Sequence, residues 1–381
     1  MKKRIYHFAF FFLFYFLLFT SAKAQDSTHI RISLLTCTPG EPLYSTFGHS
    51  AIRVTDSTNG TDIVYNYGTF NFDEEGFYIK FMRGKLMYYV NPENFTDFVY
   101  GYQAEHRGIT EQLLALTAEK KMAIQYFLAE NAKEQNKYYK YDFFLDNCTT
   151  RLRDILRDLQ DSSFCIKPVM PAGTRFRKAI HEYLDNNNKD WSKLGIDILL
   201  GLPCDAVMTT QQMQFLPDNL MKSLDSSNIK MVSSKTVLFP ANGTDNKKSF
   251  FTPLIVFSIL LITIIAIGLM KNKFTSAFLL GFDGILFFLT GLLGILLIVM
   301  WTATDHVMCK NNFNLLWALP TNFFASFFIA SKKSWAKKYF TFSWILLLAV
   351  LAVWFFLPQQ MNTGLIPIVL LLIFRSYQRS R

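Results

Sequence analysis

The sequence contains a cysteine, a histidine and an asparagine whose types and settings suit nucleophilic chemistry. Cys148 lies in the stretch FLDNCTTRLRDIL (144–156), directly after Asp146 and Asn147. Either of those two residues is a good N-cap, so Cys148 is predicted at about the first position of a helix. Free backbone N–H groups and the helix dipole favour a thiolate there, and the same groups can hold an oxyanion. The alternative is that Cys148 is a small buried hydrophobic residue.

A thiol nucleophile needs a base, and STFGHSAIRV (45–54) offers one. His49 follows Gly48 at the start of a predicted strand. Asn66, in VYNYGTF (64–70), lies on the next predicted strand, where its side chain can bond the imidazole and fix its tautomer. Cys148, His49 and Asn66 would then be nucleophile, base and orienting residue. The alternative for His49 is a structural histidine.

These residues require a sheet with a helix packed on it. The segment 50–56 alternates in polarity, and Asn59-Gly60 separates it from 62–69, which predicts an antiparallel hairpin. Further strands are predicted at 30–36, 85–90 and 98–103. After Cys148, the residues Leu152, Ile155, Leu156 and Leu159 form one helical stripe, so the thiol should lie on the face that packs against the sheet.

The chain is 381 residues long and 51% hydrophobic, and its apolar residues are clustered. Residues 1–24 have a basic start, an apolar block and small residues at Ala22 and Ala24, which is typical of a secretory signal peptide cleaved after Ala24. The alternative is an uncleaved anchor helix. No cysteine follows directly, so the protein is not predicted to be a lipoprotein itself. Residues 25–251 have a globular composition and form one predicted secreted domain.

Residues 252–381 are predicted to be a transmembrane domain of about five helices, and a membrane-crossing helix needs about 20 apolar residues. The apolar segments lie near 253–270, 275–300, 313–330, 339–357 and 364–374. If the globular domain lies outside, the inner ends of the predicted membrane helices carry clusters of basic residues. The outer loops 301–312 and 358–363 contain no arginine and a single lysine, Lys310. The net charge of +10 therefore partly reflects basic residues that mark the inner side of the membrane, and it does not indicate nucleic-acid binding.

Several polar residues of the membrane part are candidates for function. Asp283 lies within the second apolar segment, either as an interfacial residue or as a functional one. Four polar residues of the outer loop 301–312 and the segment just after it are predicted to bind substrate, either a lipid head group or an amine. They are Asp305, His306, Asn312 and Asn314. The alternative for this set is a solvated turn.

The remaining cysteines and histidines do not suggest a scaffold or a metal site. If Cys148 is free, at most one disulfide can form among the other cysteines of the secreted domain, which are Cys37, Cys165 and Cys204. No metal-ligand spacing is recognisable among His29, His106 and His181. We therefore expect neither a metal nor an organic cofactor.

The order histidine, asparagine, cysteine resembles the permuted papain-like group, in which GH opens a strand and NC opens a helix, as Gly48-His49 and Asn147-Cys148 do here. More closely, the chain resembles the Lnb-type lipoprotein N-acyltransferase family. The resemblance is carried by FGHSAIRV, VYNYGTF, YDFFLDNCTTRLRDIL and, in the membrane part, TDHVMCKNNFNLLWALPTN (304–322). It implies an α+β, permuted papain-like (NlpC-like) periplasmic domain followed by an all-α transmembrane bundle in the bacterial inner membrane.

The resemblance also implies the reaction. A phospholipid would donate an acyl chain to Cys148, and the N-terminal amine of a diacylglyceryl-cysteine lipoprotein would accept it. Two alternatives remain: a membrane-tethered NlpC-type peptidoglycan peptidase or amidase with the same dyad, and a non-catalytic lipid-binding assembly factor in which Cys148 is merely buried.

Overall fold

The structure is a computed structural model that describes residues 29–159, 166–241, 249–270 and 272–381. The predicted signal peptide and Cys165 lie outside the described residues. Within them, the N-terminal part builds one antiparallel sheet with the order β6-β4-β3-β2-β1-β5-β7. The strands are β1 (Ile30–Cys37), β2 (His49–Asp56), β3 (Thr61–Thr69), β4 (Met87–Asn94), β5 (Ile109–Leu114), β6 (Tyr138–Lys140) and β7 (Val232–Phe239).

Helices lie between and after the strands. Those of the N-terminal part are α1 (Phe77–Met82), α2 (Phe95–Ala104), α3 (Ala118–Asn131), α4 (Cys148–Asp158), α5 (Phe176–Asn186), α6 (Asp190–Leu199) and α7 (Pro217–Asp225). The C-terminal part is helical: α8 (Pro253–Leu269), α9 (Lys273–Thr302), α10 (Thr321–Ser326), α11 (Ser334–Ala352) and α12 (Ile366–Ser380). The predicted α+β domain followed by a helical region is thus present.

The predicted hairpin is formed by β2 and β3, with Ile52 opposite Tyr65. Its turn is held by Asp56, whose Oδ1 accepts from the Thr58 N–H at 2.9 Å, and Gly60 has a positive φ of 63°. Glycine enters this region of φ without a steric penalty. The hairpin fixes the relative positions of His49, at the start of β2, and Asn66, within β3.

The apolar stripe of α4 packs on the sheet as predicted. Leu152 and Leu156 are buried in one core cluster together with Leu34 of β1 and Ile52 of the neighbouring strand β2. Burying a leucine side chain contributes roughly 1.5–3 kcal/mol. This packing fixes the start of α4, and therefore Cys148, against the sheet.

The strand predicted at 98–103 is wrong, because this segment belongs to helix α2. Phe98 is buried, and Phe95, Val99 and Tyr102 pack around the same cluster. These residues recur at spacings of three and four, which places them on one face of a helix. The aromatic content of this segment favours a strand, but burial of the helical face determines its conformation.

The apolar segments of the C-terminal part do not all form long helices. Among the described residues, α9 and α11 are long and apolar enough to cross a membrane, and α8 is a shorter apolar helix. The segment predicted at 313–330 is broken into a 3-10 turn (Phe313–Leu316) and the six-residue helix α10. Pro320 lies between them and cannot donate a backbone hydrogen bond.

The broken segment lies directly against α9 at two glycines. A Cβ on Gly291 would lie 1.9 Å from the Phe323 nitrogen, and one on Gly294 would lie 2.2 Å from the Ala318 oxygen. Only glycine allows this approach. The contact explains the small residues inside α9, which hydropathy alone does not.

Asp283 is fully buried between helices and is not at a surface. Arg375 of α12 binds both of its carboxylate oxygens, through Nε at 2.7 Å and Nη2 at 2.9 Å, and Arg379 also bonds it. A buried carboxylate needs such partners, because removing one leaves an uncompensated charge. The cluster joins α9 to α12, which accounts for Asp283 structurally.

Candidate active site

The Gly48-His49 pair places the imidazole at the end of the sheet. His49 is the first residue of β2 and lies opposite Cys37, the last residue of β1. Gly48 has a φ of +77°, and a Cβ there would lie 2.7 Å from the Cys37 carbonyl oxygen. Glycine is therefore required for the chain to enter β2 at this angle.

Asn147 is the N-cap that sets the thiol at the first position of α4. Its Oδ1 accepts from the N–H groups of Thr149 and Thr150, each at 2.8 Å, and its own N–H donates to the Thr150 Oγ1 at 2.8 Å. The Nδ2 group donates to the backbone oxygens of Phe143 and Phe215. This buried capping box fixes the orientation of Cys148.

Asn66 orients the imidazole from the neighbouring strand. The His49 Nε2–H donates to the Asn66 Oδ1, and the Asn66 Nδ2–H donates to the Glu93 Oε1 at 2.7 Å. A carboxylate only accepts hydrogen bonds, so Glu93 fixes which way the Asn66 amide points. Since Nε2 is engaged, Nδ1 is the ring nitrogen left for Cys148.

The environment favours a thiolate and an imidazolium. Burial opposes ionisation of Cys148, but the charge of His49 and hydrogen bonds from His49, the Ser50 N–H and Thr149 outweigh it and lower the pKa of the thiol to about 7. Burial also opposes a charged His49, but Cys148 and the hydrogen bond to Asn66 raise the pKa of the imidazole above its ordinary value. The two groups therefore stabilise each other's charged forms at neutral pH.

The other described cysteines contrast with Cys148. Cys37, Cys204 and Cys309 are free and buried. Burial raises the pKa of Cys37 and of Cys204 to about 12, and that of Cys309 to about 11. They are therefore inert thiols at neutral pH, whereas Cys148 is half-buried and activated. In the described part of the chain no disulfide is formed.

Not every amide at the start of α4 is free to hold an oxyanion. Those of Thr149 and Thr150 bond the Asn147 side chain. The Cys148 N–H, at the first helical position, cannot have a partner within the helix. This amide can therefore donate a hydrogen bond to the oxyanion that forms when the thiolate attacks a carbonyl carbon.

Cys148, His49 and Asn66 line a cavity of about 440 Å³. Its walls are rich in aromatic side chains: Tyr44, Phe47, Tyr67, Phe70, Phe81, Tyr88, Tyr102, Tyr141, Phe143 and Phe215. Such a cavity suits a ligand with an apolar portion that must be kept from water.

Arg107 supplies a cation to the wall of this cavity. It is buried, its Nε donates to the Thr38 carbonyl oxygen at 2.9 Å, and its Nη1 lies 3.0 Å from a Glu105 carboxylate oxygen. Within the described residues its Nη2 has no hydrogen-bond partner. No motif pointed to Arg107, and none pointed to Glu93, because both reach the site through long-range strand pairing.

Family comparisons agree with this architecture. Residues 20–181 match the family model described as the Lnb N-terminal periplasmic domain, and residues 245–380 match the one described as the Lnb transmembrane domain. The chain belongs to the Lnb family. It is a membrane protein with a periplasmic domain. No curated protein and no solved structure matches the chain.

The predicted substrate-binding residues of the Lnb transmembrane part are not brought together with the thiol. Asp305 pairs with Lys140 at 2.5 Å, and the His306 Nε2 lies 3.0 Å from the Phe81 carbonyl oxygen. The Asn312 Nδ2 donates to the Ile198 and Leu199 oxygens, and the Asn314 Nδ2 donates to the Asp197 and Ile198 oxygens. None of the four is among the described residues that line the cavity.

Asn312 and Asn314 therefore join the two parts of the Lnb chain. Their buried amides satisfy the last carbonyls of α6, which would otherwise lack partners. Nearby, the Gly201 N–H donates to the Met308 oxygen at 2.7 Å, and a Cβ on Gly201 would lie 1.9 Å from the Lys310 oxygen. This close packing holds the end of α6 and Gly201 against residues 308–312.

Proposed function

We propose that this Lnb protein is a lipoprotein N-acyltransferase. It moves an acyl chain from a phospholipid, through a thioester on Cys148, to the N-terminal amine of a diacylglyceryl-cysteine lipoprotein. The observation that carries the proposal is the activated thiol beside His49 in an aromatic cavity of a membrane protein. Cys148, His49 and Asn66 are the proposed nucleophile, acid-base and orienting residues.

The first step forms the thioester. The Cys148 thiolate attacks an ester carbonyl carbon of the phospholipid, and the Cys148 N–H holds the resulting oxyanion. The intermediate collapses, the C–O bond to glycerol breaks, and the leaving oxygen takes the proton of the His49 imidazolium. The products are acyl-Cys148, a neutral imidazole and a lysophospholipid.

The second step forms the amide. The lipoprotein's α-amine attacks the thioester carbonyl, and His49 takes the proton that the nitrogen loses. The C–S bond then breaks and the thiolate leaves, which restores the thiolate–imidazolium pair. Asn66 and Glu93 hold the imidazole in one orientation through both steps.

The character of the cavity supports a phospholipid as the donor. Its aromatic walls suit an acyl chain, and Arg107 provides a buried cation whose Nη2 lacks a partner among the described residues. A guanidinium suits a phosphate. We propose that Arg107 lies on the phosphate side of the bound donor.

The location follows from the same proposal. The sheet with α4 packed on it supports a papain-like fold for residues 25–251, which we place in the periplasm after a cleaved signal peptide (1–24). Residues 252–381 would be a multi-pass domain of the inner membrane. Asp305, His306, Asn312 and Asn314 would then hold the periplasmic domain on the membrane domain.

Product identity separates this proposal from a peptidase or amidase using the same dyad. In cells that depend on this protein for N-acylation, lipoprotein N-termini should carry three acyl chains with the protein and two without it. Mass spectrometry of N-terminal lipopeptides, with and without the gene product, measures this. Unchanged lipopeptides combined with altered peptidoglycan peptides would favour the peptidase and contradict the acyltransferase.

A further inference from the structure

Helix α1 presents an apolar surface, which we call the α1 surface and define by Tyr78, Ile79, Phe81 and Met82. Their exposed fractions are 79%, 61%, 53% and 45%. Side chains of this size and type are rarely left together at the surface of a soluble domain without a partner. The α1 surface therefore needs an apolar partner.

Helix α1 is attached to the end of a membrane helix. The Asp305 N–H donates to the Arg83 oxygen, and the His306 Nε2 lies against the Phe81 oxygen, both at 3.0 Å. Asp305 also pairs with Lys140. Since α9 is long enough to cross a membrane and ends at Thr302, these contacts place the α1 surface at the boundary of the bilayer.

The same helix borders the catalytic cavity. Phe81 lines the cavity that contains Cys148, while more than half of its side chain is exposed. Just after α1, Arg83 and Lys85 are exposed cations. Exposed basic residues beside an apolar surface suit contact with lipid phosphates over an acyl-chain layer.

We propose that the α1 surface inserts into the side of the bilayer that adjoins the periplasmic domain. It is the entrance through which the acyl chain of the donor phospholipid reaches Cys148. This inference rests on the proposed acyl transfer. Lipid is the expected occupant because the α1 surface is hydrogen-bonded to the residues that follow α9 and is flanked by exposed cations.

The test compares two donors on the full-length protein. Tyr78→Asp and Ile79→Asp variants, in proteoliposomes, receive either bilayer phospholipid or a water-soluble short-chain thioester, and intact-mass measurement follows acylation of Cys148. Tyr126→Asp is the matched control, since Tyr126 is a tyrosine of α3 with 70% exposure. Acylation from phospholipid should fall about tenfold or more in the α1 variants, because aspartate is costly in contact with lipid.

Acylation from the soluble thioester, and all rates of the control, should stay at the wild-type level. Wild-type rates with phospholipid in the α1 variants would overturn the entrance. An equal loss with both donors would assign α1 a structural role, and a change of oligomeric state would assign the surface to a second copy. Failure of the wild-type protein to be acylated by phospholipid would instead overturn the proposed function.

Discussion

Replacing Cys148 by alanine is expected to abolish acyl transfer while leaving the protein folded and inserted. The substitution removes the atom that forms the thioester, and loss of a nucleophile typically costs roughly 10⁴-fold or more in rate. Transfer of a labelled acyl chain from phospholipid to a diacylglyceryl-cysteine peptide measures the effect. Residual transfer within about tenfold of wild type would contradict covalent catalysis by this thiol.

Cys204→Ala is the matched control for that experiment. Cys204 is also a free thiol, but it is buried and its pKa is raised to about 12. It is absent from the described lining of the cavity. We expect this variant to transfer acyl chains at the wild-type rate, which separates loss of a reactive thiol from loss of a buried one.

Replacing His49 by alanine is expected to raise the pKa of the Cys148 thiol from about 7 to above the ordinary value of about 8.5. The charge and hydrogen bond that favour the thiolate are lost, while the burial that opposes it remains. Wild-type alkylation by iodoacetamide should rise as pH increases through about 7. At pH 7 the variant should react about 15-fold more slowly or worse, since its thiolate fraction falls from about one half to about 0.03.

The rate of acyl transfer should fall both below and above neutral pH. Below about 7 the thiol is protonated, and above the raised pKa of His49 the imidazole loses the proton that the leaving oxygen needs. His29→Ala is the control, because His29 directly precedes β1 at the opposite end of the β1–β2 pair from His49. An unchanged alkylation midpoint in His49→Ala would contradict the ion pair.

Asn66→Ala should reduce the rate of acyl transfer from phospholipid to a diacylglyceryl-cysteine peptide, but by less than Cys148→Ala does. Asn66 helps raise the pKa of His49, so its loss should weaken the pair without removing a reacting atom. A hydrogen bond to a charged group is worth about 1.5–3 kcal/mol, which corresponds to a loss of about 10- to 100-fold.

The local parts of this site are predictable from sequence. Asn59-Gly60 between alternating segments predicts the hairpin that places Asn66 beside His49. Asn147 before Cys148 predicts the helix start, and the leucines after it predict the packed face. Each of these signals depends on residues a few positions apart, so tertiary packing does not change it.

Other parts depend on distant residues and could not be predicted. Glu93 reaches Asn66 because β4 pairs with β3 so that Glu93 lies opposite Val64, which makes Glu93 the diagonal cross-strand neighbour of Asn66. The segment 98–103 is a helix because its apolar face is buried, which a short aromatic run does not reveal. Asn312 and Asn314 satisfy carbonyls of a helix more than 100 positions earlier.

The central claim is that Cys148 carries the acyl group between lipid and lipoprotein, and intact-mass measurement of the purified protein tests it most directly. With phospholipid alone, the protein should gain the mass of one acyl chain at Cys148 and release one lysophospholipid per enzyme. A diacylglyceryl-cysteine peptide with a free amine should then discharge that mass as an amide, and a peptide with a blocked amine should leave it in place. Rapid multiple turnover to free fatty acid without acceptor, or acyl transfer with no thioester on Cys148, would contradict the account.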